Sequence, residues 1–149
     1  MDYEIGRTGR AVVIRLHDGD PIYASIESVA QKERIESAAV WIVGGVKNAT
    51  VVTGPTHADV FPLQTIDRHF DDAREIAGFG TIFTNESGRP ALHMHAAIGK
   101  GQEVIAGCPR KGADCWLVDE VIMLEITGTT ARRRVNRQSG LELLTMEKG

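Results

Sequence analysis

The segment "CWLVDEVIMLEIT", Cys115 to Thr127, is the longest apolar stretch of the chain and is rich in Val and Ile. β-Branched side chains lose rotamer freedom in a helix and pack well on a pleated surface, so the segment is predicted to be a central strand. A central strand needs partners, and the rest of the chain supplies them. "RAVVIRL" (10–16), "AAVWIV" (38–43), "KNATVVTG" (47–54), "REIAGFGTIFT" (74–84), "ALHMHAAI" (91–98) and "EVIAG" (103–107) all read as extended, with Gly-rich turns of hairpin size between many of them. The stretch 55–73 carries two prolines and many charges and reads as irregular, with room for one edge strand. "GTTARRRVNR" is expected to pair back after Gly128, and "LELLTM" to close the chain.

One segment breaks this rhythm. From Ile22 the apolar positions Ile22, Ile26, Val29 and Ala30 recur at helical spacing, which predicts an amphipathic helix to about Arg34. Asp20 is the expected N-cap, with Pro21 in the first helical position. One early helix followed by many strands predicts an α+β fold, a single compact domain with a mostly antiparallel sheet. No repeat or linker divides the 149 residues, so one domain is expected over 1–149, with its core at about 9–146.

Composition narrows the function. Lys and Arg number 17 against 20 Asp and Glu, a formal net charge of −3, which gives no overall attraction for nucleic acid. The uncharged run "AAVWIVGGV", 38–46, is far too short to span a bilayer, and the start "MDYEIGRTGR" lacks the pattern of a secretory signal. With two cysteines and no such signal, a cytoplasmic location with free thiols is expected, although the spacing of Cys108 and Cys115 allows a disulfide.

The chemistry concentrates in "ALHMHAAIG". On a strand, His93 and His95 point to one face and Leu92, Met94, Ala96 and Ile98 to the other. Their backbone positions are roughly 7 Å apart, so both imidazoles converge on one ion. Cys108 ends the following strand, and a hairpin through "GKGQ" brings its thiol alongside. Two imidazoles and a thiolate suit zinc or another divalent transition metal and leave a coordination position open. The same spacing also describes a half-solvated polar row beside a small buried Cys108.

Other groups are weaker candidates. Glu120 interrupts the row Trp116, Val118, Ile122, Leu124 and Ile126, and a carboxylate in an apolar row is suited to acid–base work or to a subunit interface. Cys115 is expected to be a buried thiol, with a fourth ligand as the alternative. In "ARRRVNR", Arg132 and Arg134 share a face and Arg133 takes the other, which favours a solvated edge strand over a phosphate-gripping row. His17, His57 and His69 are read as surface residues.

"VGGVKNATV" (43–51), "GRPALHMHAAIG" (88–99), "EVIAGCPRKG" (103–112) and "DEVIMLEI" (119–126) together resemble the PPC family, the plants-and-prokaryotes-conserved domain. The resemblance implies a compact α+β domain that assembles into a homotrimer. In plant members the domain stands beside AT-hook segments that bind A·T-rich DNA, and stand-alone prokaryotic members are mostly of unknown activity. It also implies that His93 and His95 match the family's histidine pair. Many prokaryotic members carry a third histidine in "G-G-H", where this chain has "AGC" and therefore Cys108. The domain is distantly similar to acetolactate decarboxylase, in which a comparable histidine set holds zinc. Three functions follow as expectations: metal-dependent chemistry on, or binding of, a small molecule; DNA binding or regulation, disfavoured by the acidic balance and the missing AT-hook; or a trimeric scaffold.

Overall fold

The computed structural model describes residues 1–146, so the last three residues of the expected 1–149 domain lie outside it. In chain order the elements are β1 (Arg7–His17), α1 (Ile22–Glu33), β2 (Ser37–Lys47), β3 (Ala49–Pro55), β4 (Thr65–Phe70), β5 (Arg74–Thr84), β6 (Pro90–Lys100), β7 (Glu103–Lys111), β8 (Asp114–Thr127), β9 (Arg132–Val135) and β10 (Glu142–Thr145). Eight strands form one sheet in the order β1-β8-β2-β5-β6-β7-β3-β4, and β9 and β10 form a separate antiparallel pair. The fold is α+β, with a single helix among the described residues. Among the described residues no helix is long and apolar enough to cross a membrane.

β8 lies between β1 and β2 and pairs antiparallel with both, the interior position its Val/Ile content predicts. The core sits between one sheet face and α1. Ile22, Ile26 and Ala30 are fully buried at four-residue spacing and join a cluster that includes Val40, Ile82, Met94, Ile98, Val121 and Met123. Burying each isoleucine contributes about 1.5–3 kcal/mol, which is what holds a twelve-residue helix that would be marginal alone. The opposite sheet face is uncovered in the single chain. Trp41, Val43, Phe79 and Ile122 are all more than 40% exposed there.

Three expectations need correction. Asp20 does not cap the helix: its carboxylate accepts the His17 N–H at 2.9 Å, closing the turn before the helix, and Pro21 holds the N-cap position with no side-chain cap. The helix instead stops firmly at Arg34, whose left-handed backbone (φ 57°) lets the Ile35 N–H reach the Ala30 carbonyl. The arginine run does not pair back onto the main sheet; β9 pairs with β10. Nor is it a solvated edge throughout, because Arg133 is 5% exposed and inserts into the domain.

Candidate metal centre

The centre is built on β6 and β7. Their ladder runs from Lys100–Glu103 at the turn to Ala96–Gly107, so the next residue of β7, Cys108, leaves it on the level of His95. At this point β7 changes neighbours: Cys108 pairs with Val52 of β3 and Pro109 with Val51. Gly107 permits the crossing, since a Cβ there would meet the Val52 carbonyl oxygen at 2.2 Å. The thiol is consequently buried while both imidazoles remain exposed to solvent. One donor atom from each of His93, His95 and Cys108 lies within 4.8 Å of the others. The two imidazole rings stand edge to face, with centroids 5.0 Å apart.

A tetrahedral ion with bonds of about 2.0–2.3 Å draws its donors to roughly 3.3–3.8 Å from one another. Small side-chain rotations bridge that difference, and two imidazoles with one thiol are a donor set that zinc accepts. The residues therefore fit a three-ligand centre.

Three further side chains stand at the cluster, Arg110 and Tyr23 against the thiol and Arg133 beside His93, and the sequence alone marked only Arg133, as part of an edge strand. The Arg110 Nε donates to Cys108 Sγ at 3.1 Å. Tyr23, on α1, donates its hydroxyl to the Met94 carbonyl at 3.2 Å and sits 3.7 Å from the same sulfur. Burial first, and then the neighbouring Cys108, hold the Tyr23 phenol well above its ordinary pKa, so it stays protonated. Arg133 donates from Nε to the Ala91 carbonyl and from Nη2 to the carbonyl and hydroxyl of Thr81. Partial burial, followed by Arg133, His95 and Arg110, pushes the His93 pKa down, which favours the neutral imidazole with a free lone pair. For Arg110 a signal was present in the sequence, two residues past Cys108 on the same strand parity. For Tyr23 there was none, and for Arg133 strand parity set it apart from its neighbours without pointing it to the centre, because each reaches the centre across a large sequence separation.

Concavities open on the cluster from more than one side. An open groove of ≈ 850 Å³ runs along the uncovered face past Trp41, Phe79, His95 and Cys108. A smaller cavity of ≈ 320 Å³ opens beside His93.

Glu120 is not brought to the cluster. It shares the outward face with the histidines but stands three strands away, since β2 and β5 separate β8 from β6, a lateral distance of about 14 Å. Its row is the exposed one, with Trp116 and Ile122 at 38% and 41% exposure; the buried row of β8 contains Asp119, Val121 and Met123. Both rows are apolar, so alternation could not tell which faces the helix. Cys115 lies in the core away from the trio, and both cysteines are free. His17, His57 and His69 are exposed.

Comparison with known proteins puts this arrangement in context. No curated protein sequence matches the chain. Among solved structures, a metal-containing protein from Archaeoglobus fulgidus superposes with a TM-score of 0.84 at 22% identity, covering 97% of this chain and 99% of the other. A plant- and prokaryote-conserved protein from Pyrococcus horikoshii gives 0.84 at 21% identity over 100% of both chains. A candidate DNA-binding protein from Ralstonia eutropha gives 0.73 at 21% identity over 90% of each. At these identities the likeness establishes the fold alone. The family model described as the Plants and Prokaryotes Conserved (PCC) domain matches residues 3–127, which is most of the chain. The chain belongs to the Plants and Prokaryotes Conserved domain family.

Proposed function

We propose that this protein is a homotrimeric metal-binding domain in which His93, His95 and Cys108 hold one divalent transition ion, zinc first among them, and act on or bind a small molecule. The observation that carries the reading is the convergence of the three donor atoms within 4.8 Å on a hairpin whose strand crossing positions the thiol. The description of the A. fulgidus relative as metal-containing supports it. Free thiols persist in a reducing cytoplasm, where the reading locates the protein.

Bound there with three protein ligands, such an ion supplies a Lewis acid with an open position, able to polarise a carbonyl or activate water. The chain's own groups do the rest. Arg110 donates to the thiol sulfur and so orients that ligand from behind, as groups next to metal ligands commonly do. Tyr23 fixes the wall beneath it through the Met94 carbonyl. Glu120 stands too far off within one chain to touch a ligand on the cluster, so no proton-transfer role is assigned to it there. The trimer would cover the uncovered face around Trp41, Val43, Phe79 and Ile122, which is apolar enough to be costly in water.

The direct test is metal content after purification without a histidine tag. Stoichiometric zinc in the wild type, lost in His93→Ala, is the expected result. Metal that persists undiminished in that variant defeats the assignment. Light scattering reads the assembly, and a monomer defeats the trimer.

The DNA-binding description of the R. eutropha relative favours a second reading. The arginine run gives it little help: Arg133 is buried, and Arg132 is engaged with Thr84 at 2.6 Å and with Glu36 at 3.7 Å. Duplex binding that weakens steeply with salt would support this reading, and its absence at low salt would end it.

A further inference from the structure

The cavity beside His93 is lined by Tyr23, Arg110, Arg133, Leu141 and Glu142 in addition to the imidazole. At ≈ 320 Å³ it lies at the lower end of the range for ligand pockets, so it suits a small molecule. Its charge is the unusual feature. Arg133 is 5% exposed, and the oxygens that receive its hydrogen bonds, on Ala91 and Thr81, are all neutral. Neither Arg133 nor Arg110 forms a salt bridge among the described residues; Glu142 raises the Arg133 pKa only through space. A buried guanidinium without an ionic partner is costly unless something supplies the negative charge.

The geometry leaves hydrogen-bond capacity for that partner. The three bonds to β5 and β6 use Nε and Nη2 of Arg133 and fix the guanidinium plane, leaving Nη1 without a protein acceptor among the described residues. Among the described residues Arg110 commits only Nε, to the Cys108 sulfur, and keeps both Nη groups. Two guanidiniums with donors to spare match a carboxylate, whose oxygens accept paired N–H bonds. With Glu142 on the rim, the pocket's net charge suits one anionic group rather than several.

We propose that Arg110 and Arg133 form a carboxylate-binding subsite next to the His93–His95–Cys108 cluster, and that the ligand is a small 2-hydroxy or 2-oxo monocarboxylate. The carboxylate part of the assignment stands on the arginines. The oxygen on the neighbouring carbon rests on the metal reading, because it is the atom that would face the cluster.

The experiment follows the arginine side-chain N–H resonances of ¹⁵N-labelled protein, metal-free and zinc-loaded, during titration with lactate and, as the uncharged control, propane-1,2-diol. Lactate is expected to shift the Arg110 and Arg133 signals in both forms, and the diol neither. Zinc is expected to tighten lactate binding about tenfold, the scale of one added charge-assisted contact. Arg110→Ala, an exposed position that does not threaten folding, is expected to weaken lactate about tenfold or more at saturating zinc. Lactate binding no better than the diol, or an Arg110→Ala variant with unchanged lactate affinity, overturns the subsite. Arginine shifts with lactate in a protein that takes up no zinc would support the carboxylate subsite while overturning the metal reading and, with it, the requirement for the second oxygen.

Discussion

Both cysteines of this chain are buried and free, yet their surroundings differ in kind. Cys108 sits where β7 changes partners, with two imidazoles close by, a guanidinium donating to its sulfur and concavities opening beside it. Cys115 begins β8 in the core, 0% exposed, with Asp119 as its polar neighbour. Burial first, and then Asp119, pushes the Cys115 thiol up to about 12, so it stays protonated and inert. Burial of a thiol therefore decides little. What separates the two is whether other donors share a space that a ligand can enter.

The largest effect that tests this contrast is on metal affinity. Cys108→Ser is expected to weaken zinc binding on the order of 100-fold or more, while Cys115→Ser leaves it unchanged, both read by competition with a chelating dye. Equal losses in the two variants would erase the distinction.

Asp119 gives the next largest effect. It is fully buried, and among the described residues neither carboxylate oxygen has a full hydrogen-bond partner. The Cys115 thiol and the Gly45 N–H lie close enough to favour the ionised form, but burial outweighs them and lifts the pKa from 3.8 to about 6. Gly44 makes room for it, since a Cβ there would meet Asp119 Oδ1 at 2.4 Å. Because the folded chain holds this proton more tightly than the unfolded chain, the contribution to stability is fully present below about pH 3.8. It is lost as the pH rises through about 6 and stays lost above it. Linkage sets the loss at about 3 kcal/mol. Asp119→Asn is thus expected to be more stable than wild type at pH 8 by about 2–3 kcal/mol in urea unfolding, with the gap closing toward pH 4. A gap independent of pH would mean that the carboxyl does not titrate in this window.

The smallest effect concerns the carboxylate next in sequence. Glu120→Gln, three strands from the cluster, is expected to leave zinc content unchanged. A loss of zinc in this variant would mean that Glu120 reaches a cluster after all, and only across a subunit boundary could it do so.

These neighbours also mark how far the sequence could be read. Alternation correctly separated His93 and His95 from Met94, and Arg133 from Arg132 and Arg134, because side-chain parity is a local property of an extended chain. The same rule put Glu120 in a row with Trp116 and Ile122, and it is there. Which row of β8 faces the helix was not legible, since both rows are apolar and the answer depends on how β8 sits between β1 and β2. Asp20 was a reasonable cap by residue type, but a turn with His17 claimed its carboxylate first.

The sequence by itself determined the strand and helix periods, the α+β class, the shared face of the two histidines and the hairpin that carries Cys108 toward them, all set by short-range sterics and side-chain alternation. Tertiary structure alone decided that Tyr23 and Arg133 close on that hairpin, from residues far away in sequence, and that Asp119 rather than Glu120 is the buried carboxyl. Those outcomes depend on sheet order and on which face the helix covers, and both are fixed only when distant segments exclude water together.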